Sequence, residues 1–508
     1  MAAAAGIGVL VLLPIAYLAV RAFEAEAGEL TAIVFRWRNA VLLGNTLLLA
    51  GSVLVTTTLL AAPLAWLTSR ARLPFRRLFT LAGLLPLAIP PYLMAYGYLA
   101  LGGPFGVTAQ LFGFELPRIS GYSGALLTLT FCFFPYLYLN LRSALNGLDP
   151  ALEEAARSLG YNGWRMTWRV VLPQLRPAYA AGGLLVVLHV MSDFGVVSLM
   201  RYETFSYALY LQYMAAYDRT YAAWLGLFLV ALTAVILVLE ARFLRRLFLH
   251  RVGGGAARTR ARTELGAWTP PAFAFVAALV FASLAVPVGS VLYWFFRGNP
   301  GAIMGLGESL WHSVSAAAPA AVLAVMLAAP MAYLSVRHPS RLTRTLERTA
   351  YMGYATPALA VALGLIFFAL QVAPGLYQTR MLLVYALAIH FLAEAMGPVR
   401  SAMYQATPHH EESARSLGLG PLQAFFQVTV PVMQRGLLAG MAFVFLSSMK
   451  ELPLSFLLAP LDYHTLAVNV WGYIDEAMFA DAAPYALAIL VFSALFAGLL
   501  QTQEETRS

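Results

Sequence analysis

Two stretches of this sequence repeat the same reactive and turn-forming residues. Glu153-Glu154-Ala155-Ala156-Arg157-Ser158-Leu159-Gly160 is followed, nine residues later, by Val170-Val171-Leu172-Pro173. Glu411-Glu412-Ser413-Ala414-Arg415-Ser416-Leu417-Gly418 is followed at the same spacing by Val428-Thr429-Val430-Pro431. Every pair keeps an offset of 258 residues. Each copy reads as a short helix, a tight turn and a second helix. Asp149 or Thr407 stands where an N-cap belongs, with Pro150 or Pro408 at the first helical position. The acidic pair falls in the first turn, where it complements the helix dipole. Gly160 or Gly418 suits the left-handed residue that ends such a helix. Asn162 can cap the following helix, and Gly420-Pro421 takes that place in the other copy. A helix this short is marginal alone, so its chemistry is docking onto a partner surface.

The remaining ionisable candidates lie within apolar runs. Asp193, in Met191-Ser192-Asp193-Phe194-Gly195, aligns at offset 258 with Glu451, in Met449-Lys450-Glu451-Leu452-Pro453. Charges inside a membrane span cost about 2.5–3.5 kcal/mol each on insertion scales and tend to face a bundle interior or a pathway. Asp193, Lys450 and Glu451 can form a gate, with Lys450 pairing to Asp193, or a static pair locking two helices. His409 and His410 are adjacent and do not share a helical face, so they read as the exposed start of a loop helix. His189, His390 and Glu394 read as hydrogen-bonded packing residues, and Cys132 as a small core residue. No metal-ligand set emerges. No phosphate-binding loop is possible either: the one lysine, Lys450, is followed by Glu451 rather than Ser or Thr.

The elements that hold these residues follow from composition. The chain has 508 residues, 60% hydrophobic and 11% charged, with mean hydropathy +0.73. A soluble chain of this length carries about 25% charged residues, which excludes a cytosolic enzyme, a disordered protein and a nucleic-acid binder. Apolar runs of about 20 residues fall near 2–20, 40–67, 78–101, 122–141, 177–200 and 220–239. A second set falls near 271–296, 311–335, 349–371, 381–399, 436–460 and 482–501. The fold class is therefore an all-α membrane protein of about twelve transmembrane helices. The first run lacks a basic flank and reads as a spanning helix rather than a signal peptide.

Arginine places the loops. Arg70, Arg72, Arg76 and Arg77 lie between runs two and three, and Arg337, Arg341, Arg344 and Arg348 between runs eight and nine. Arg242, Arg245, Arg246, Arg251, Arg258, Arg260 and Arg262 surround Gly253-Gly254-Gly255. These loops are expected on the cytoplasmic side, with both termini cytoplasmic, and the +9 net charge is mostly this positive-inside bias. The chain also repeats internally. Ala61-Ala62-Pro63-Leu64-Ala65-Trp66-Leu67 returns as Ala328-Ala329-Pro330-Met331-Ala332-Tyr333-Leu334, at offset 267, as does Pro90 at Pro357. Two six-helix halves in parallel orientation, related by a pseudo-twofold axis along the membrane normal, follow. We divide the chain into a first half at 1–240, a flexible cytoplasmic linker at 241–270 and a second half at 271–508.

Glu-Ala-Ala-x3-Gly-x9-(hydrophobic)-x-Leu-Pro resembles the coupling-loop signature of permease subunits of ABC importers. The first copy fits fully, from Glu154, Ala155, Ala156 and Gly160 to Val170 and Leu172-Pro173; the second departs at Ser413 and Val430. The resemblance covers nearly the whole chain, as two fused type I permease domains with cytoplasmic coupling helices. It implies that Glu153, Glu154, Ala155, Ala156, Gly160 and Pro173, and Glu411, Glu412, Ala414, Gly418 and Pro431, couple to two copies of an ATPase subunit. ATP and Mg would then sit on those partner subunits, and this chain would bind no cofactor of its own. The family also implies a periplasmic or surface solute-binding protein, for which loops 201–219 and 461–481 offer Arg201, Glu203, Asp218, Asp462, Asp475, Glu476 and Asp481; an ordinary solvated loop explains them equally well. Ser192-Asp193-Phe194-Gly195 and residues 449–460 look like ferric-iron importer permeases of the bacterial inner membrane. Thiamine, phosphonate, sulfate and polyamine permeases are close alternatives. A twelve-helix secondary transporter is the rival of a different class, but Thr68–Arg77 lacks the Gly- and Asp-containing basic signature such carriers place between helices two and three.

Overall fold

The computed structural model describes residues 2–24, 27–215, 218–247, 263–298 and 300–505. Among these residues the regular structure is helical apart from one bridge between Ala71 and Thr263. Eight helices are long and apolar enough to cross a membrane, and eleven if each bent pair counts as one span. Expected runs three, nine and ten are the bent ones. Arg76–Ala88 turns by 99° into Pro91–Leu99, Arg341–Ala355 by 102° into Ala358–Val372, and Arg380–His390 by 56° into Leu392–Gln405. Two of these breaks follow from proline, which disfavours the helical region for the residue before it: Ile89 before Pro90 and Thr356 before Pro357 are both extended. The last expected run lies within helix Phe479–Glu505.

The described chain forms two compact units: Met1–Asn39 with Ala208–Val230 and Arg297–Ser508, and Ala40–Tyr207 with Ala231–Phe296. They cut across the order of the repeat, because the first helix of each half joins the unit built mainly from the other. Of the expected linker, residues 248–262, with Arg251, Arg258, Arg260, Arg262 and the three glycines, lie outside the described residues. On either side, helix Arg219–Leu247 runs on into 241–247, and Thr263 bonds back to the Arg70 carbonyl (2.8 Å) and accepts from Arg72 N–H (3.0 Å).

In the first unit, helix Ala2–Ala22 lies against Ala358–Val372. The approach is so close that a Cβ on Gly364 would sit 2.0 Å from the Pro14 carbonyl oxygen. Tyr385 Oη donates to the Leu10 carbonyl at 2.7 Å, where Pro14 leaves the oxygen without its helical donor. A stripe of Ala316, Ala317, Ala320, Ala321, Ala324 and Ala328 lets helix Leu306–Arg337 pack tightly into the same core. Small residues of this kind permit close helix contact where lipid offers no hydrophobic drive.

In the second unit, the first helical run of the second half, Thr269–Val280 continuing to Val286–Arg297, repeats this arrangement. A Cβ on Gly97 would fall 2.3 Å from Pro287 Cα. Ser290 Oγ donates to the Gly97 carbonyl (3.0 Å), and Tyr98 Oη to the Ala282 carbonyl (2.8 Å). Gly97 and Gly364 differ by the repeat offset of 267. Each crossing helix therefore seats a proline on an equivalent glycine.

Candidate functional site: two duplicated loops and the helices behind them

In the first loop, Pro150–Ser158 is helical, and the Asp149 side chain accepts from Ala151 N–H at 2.9 Å as its cap. Gly160 adopts φ +81°, the left-handed region that favours glycine. Asn162 Oδ1 accepts from Arg165 N–H (2.9 Å) and starts Gly163–Met166. A wide π turn, Thr167–Val171, then leads into Leu172-Pro173. Proline supplies no N–H to the turn before it, and a widened turn accommodates that loss. Glu153 is buried while Glu154 is exposed. The Glu153 carboxylate pairs with Arg70 at 3.3 Å, and Arg70 also donates to the Leu145 carbonyl at 2.7 Å.

The second loop follows the same plan, with Pro408–Ser416 helical, Gly418 at φ +94° and a π turn at Phe425–Thr429 before Pro431. Thr407 occupies the N-cap position, but its side chain makes no cap hydrogen bond. Glu411 is partly buried and faces Arg337 at 3.8 Å, while Thr429 Oγ1 donates to its carboxylate at 2.6 Å. Arg337 also donates to the Ala406 carbonyl. His409 pairs with Glu412 on the exposed side, and neither reaches a metal-like cluster among the described residues. Both loops leave equivalent apolar side chains in the open: Leu159 at 77% and Leu417 at 85% exposed, with Trp168 and Phe426 likewise uncovered.

The opposite ends of the same long helices are also held alike. Asn45 Nδ2 donates to the Glu203 carbonyl (2.9 Å), and Phe205 N–H donates to Thr46 Oγ1 (3.1 Å). In the other half His312 Nδ1 meets the His464 carbonyl (3.3 Å), which only accepts, so the ring nitrogen donates. Leu466 N–H donates to Ser313 Oγ at 2.9 Å. Arg201 and Asp462, which open these two segments, both adopt left-handed φ, at 54° and 60°.

Asp193 and Glu451 do not sit within continuous helices. Helices Leu172–Ser192 and Val430–Met449 stop just before them, and each carboxylate caps the next short helix. Asp193 Oδ1 accepts from Val196 N–H (2.9 Å) and Val197 N–H (3.3 Å). Glu451 Oε1 accepts from Leu454 N–H (3.2 Å). Lys450 is electrostatically linked to Glu394, which Ser447 hydrogen-bonds, and Tyr354 lies near both Glu394 and Glu451.

Residues 39–252 and 320–505 match the family described as binding-protein-dependent transport system inner membrane component. The chain belongs to this family. Two matches in one chain make it a fused permease with two family domains, a multi-pass inner-membrane protein of the ABC importer class. It is 31% identical to the Fe(3+)-transport system permease protein of Haemophilus influenzae, over 97% of this chain and 96% of that one. It is 21% identical to the ferric transport system permease protein of Actinobacillus pleuropneumoniae, over 88% and 69%. The molybdenum transport system permease protein of Escherichia coli is 31% identical, but over 37% of this chain and 86% of its own. Such permeases work with an ATPase and a substrate-binding protein.

The partners of the permease's loops are the residues that sequence pattern does not show. Arg70 and Arg337 read as topogenic charge, yet they share the 267 offset and stand at the last turn of equivalent helices. That coincidence with Glu153 and Glu411 was the available signal. Glu394, read as a hydrogen-bonded packing residue, is hydrogen-bonded by Ser447 and also lies in the electrostatic reach of Lys450 and Glu451. Asn45 and His312 share the 267 offset too, but an asparagine and a histidine do not match in kind, so the pair does not stand out in the sequence.

Proposed function

We propose that this permease carries ferric iron into the cytoplasm by alternating access, driven by two copies of an ATPase subunit and fed by a solute-binding protein. The observation that carries the iron assignment is extent: the similarity to the Haemophilus Fe(3+) permease spans 97% of this chain and 96% of that protein, whereas the molybdenum permease is matched over 37% of this chain. In this reading the chain has twelve crossings, halves at 1–240 and 271–508 joined by 241–270, and both termini cytoplasmic. Glu153, Glu154, Ala155, Ala156, Gly160 and Pro173, with Glu411, Glu412, Ala414, Gly418 and Pro431, build the two docking loops. The exposed Leu159 and Trp168, and Leu417 and Phe426, supply apolar contact area to each ATPase. ATP and Mg belong to those partner subunits, and the permease contributes motion rather than catalysis.

Asp193, Lys450 and Glu451 are then gate or pathway residues. Their placement at helix breaks supports this, since irregular backbone at membrane depth is tolerated where it lines protein or a water-filled cavity. The test is uptake of radiolabelled ferric iron by proteoliposomes holding the permease, its ATPase and its binding protein. Expected is ATP-dependent uptake that unlabelled ferric iron suppresses and molybdate or sulfate does not. Suppression by molybdate or sulfate instead would overturn the iron assignment. Uptake by the permease alone, driven by an ion gradient, would favour the secondary-transporter reading.

A further inference from the structure

We infer that the second long helix of each half, Trp37–Arg70 and Leu306–Arg337, is a strut that carries movement from a coupling loop to the far end of the bundle, and that Arg70 and Arg337 are the positioning residues that latch it. The inference rests on the permease reading. Its observations are internal to each compact unit.

At one end, a single guanidinium joins three elements. Arg70 stands in the last turn of its own helix, where its charge suits the dipole. It donates to the Leu145 carbonyl at the end of Gly121–Asn146 and pairs with Glu153 of the coupling helix. Arg337 does the same with the Ala406 carbonyl and Glu411. All four side chains are largely buried, at 11% and 4% exposed in the first pair and 10% and 18% in the second. A buried charge pair is weak evidence for stability but sets geometry strictly, because losing one partner leaves the other uncompensated. Arginine suits this better than lysine, since its planar fork can serve a carbonyl and a carboxylate at once.

At the other end, about 37 Å away at 1.5 Å per residue, Asn45 and Thr46, or His312 and Ser313, bond to the backbone of the segment that follows Asp193 or Glu451. The separation is the same in both halves, because Asn45–Arg70 and His312–Arg337 share the 267 offset. Pro63 and Pro330 recur within both helices, two turns short of the arginine. A helix fixed at both ends moves both ends together. The loop that grips the ATPase is thereby mechanically joined to the loop beside the helix break.

The experiment uses the full permease with its ATPase in nanodiscs, in a Cys132→Ala background that removes the one native cysteine. Spin labels are placed in pairs across the halves: Ala151→Cys with His409→Cys for the two docking ends, and Glu203→Cys with His464→Cys for the two far ends. Distances are measured without nucleotide and in the vanadate-trapped ADP state. The expected result is a nucleotide-dependent change in both distances, of which R70Q, E153Q or the milder T46V each reduce the far-end change roughly threefold while the docking-end change persists. Combining R70Q with T46V should reduce it no further, because both break one strut. R70K should recover part of the change. In the second half S313A and T429V, which remove single hydroxyl bonds, give smaller reductions. A change that R70Q and T46V both leave intact, or losses that simply add, would overturn the strut. Docking-end distances that ignore nucleotide in the wild-type complex would instead overturn the ATPase-driven alternating access on which the strut rests.

Discussion

The two coupling loops are near copies, whereas the helix pairs directly behind them are not. Glu153 and Glu411, Gly160 and Gly418, both π turns and both exposed leucines coincide at one offset. Along the helices that follow, equivalent positions diverge in chemistry. Tyr136 and His189 form a ring pair at 4.5 Å, where the other half has Glu394 hydrogen-bonded by Ser447. Cys132 stands opposite His390 in the repeat, and Ser192 opposite Lys450. Arg400 pairs with Glu347, while the position equivalent to Glu347 is Thr80. On the proposed function the chain faces two identical partners, which requires two identical docking loops. Nothing imposes that symmetry on the residues between them, and there the second half has collected the charge.

The sharpest way to break this comparison is to strain both loops. Gly160→Val and Gly418→Val place a branched side chain at φ +81° and +94°, a conformation costing L-residues about 1–2 kcal/mol or more. Each should lower ATPase co-purification roughly tenfold, and the two losses should match. Unequal losses would show that the loops are copies in sequence only. Next come the crossing seats. Gly97→Ala and Gly364→Ala push a Cβ into Pro287 and Pro14, and each should destabilise by about 1–3 kcal/mol, read as a lower thermal midpoint in detergent. The inequality of the interiors is tested by Glu394→Gln against Tyr136→Phe. The first should cut transport several-fold at unchanged ATPase association, and the second should leave it near wild type; equal effects would remove the claim that charge matters in one half. The smallest difference concerns the caps. Asp149→Ala should cost the helix Pro150–Ser158 about 1 kcal/mol, seen as faster amide exchange over residues 151–158. Thr407→Ala should change little, because Thr407 makes no side-chain cap bond.

Much of this was legible because membrane helices and duplicated motifs leave strong periodic signals. The apolar runs, the coupling helices, the left-handed glycines and the Asn162 cap all followed from local residue chemistry. Pro90 and Pro357 were recognised as a repeated pair, but not as the pivots of 99° and 102° bends. Hydropathy averages over such breaks, so it counts spans and misses their shape. Asp193 and Glu451 were placed in the membrane by the same averaging; their capping role depends on where the helix stops, which a run of apolar residues does not mark. The latch partners were hidden for another reason. A buried arginine and a topogenic arginine are the same letter, and the contact that distinguishes them spans 83 residues in one half and 74 in the other.

The crossing of first helices sets an order on synthesis. The seat at Gly97 is made early, but its occupant, Pro287, emerges nearly two hundred residues later. Pro14 is made 350 residues before Gly364 and waits for it. During translation each half therefore holds an open groove, or a helix without its groove, until the other arrives. Fusing the halves into one chain keeps each helix and its seat at fixed stoichiometry and within reach of each other in the bilayer. A ribosome stalled within 241–270 would leave the first half in the membrane with its Gly97 seat unfilled, exposed to quality-control proteases that recognise unpaired spans.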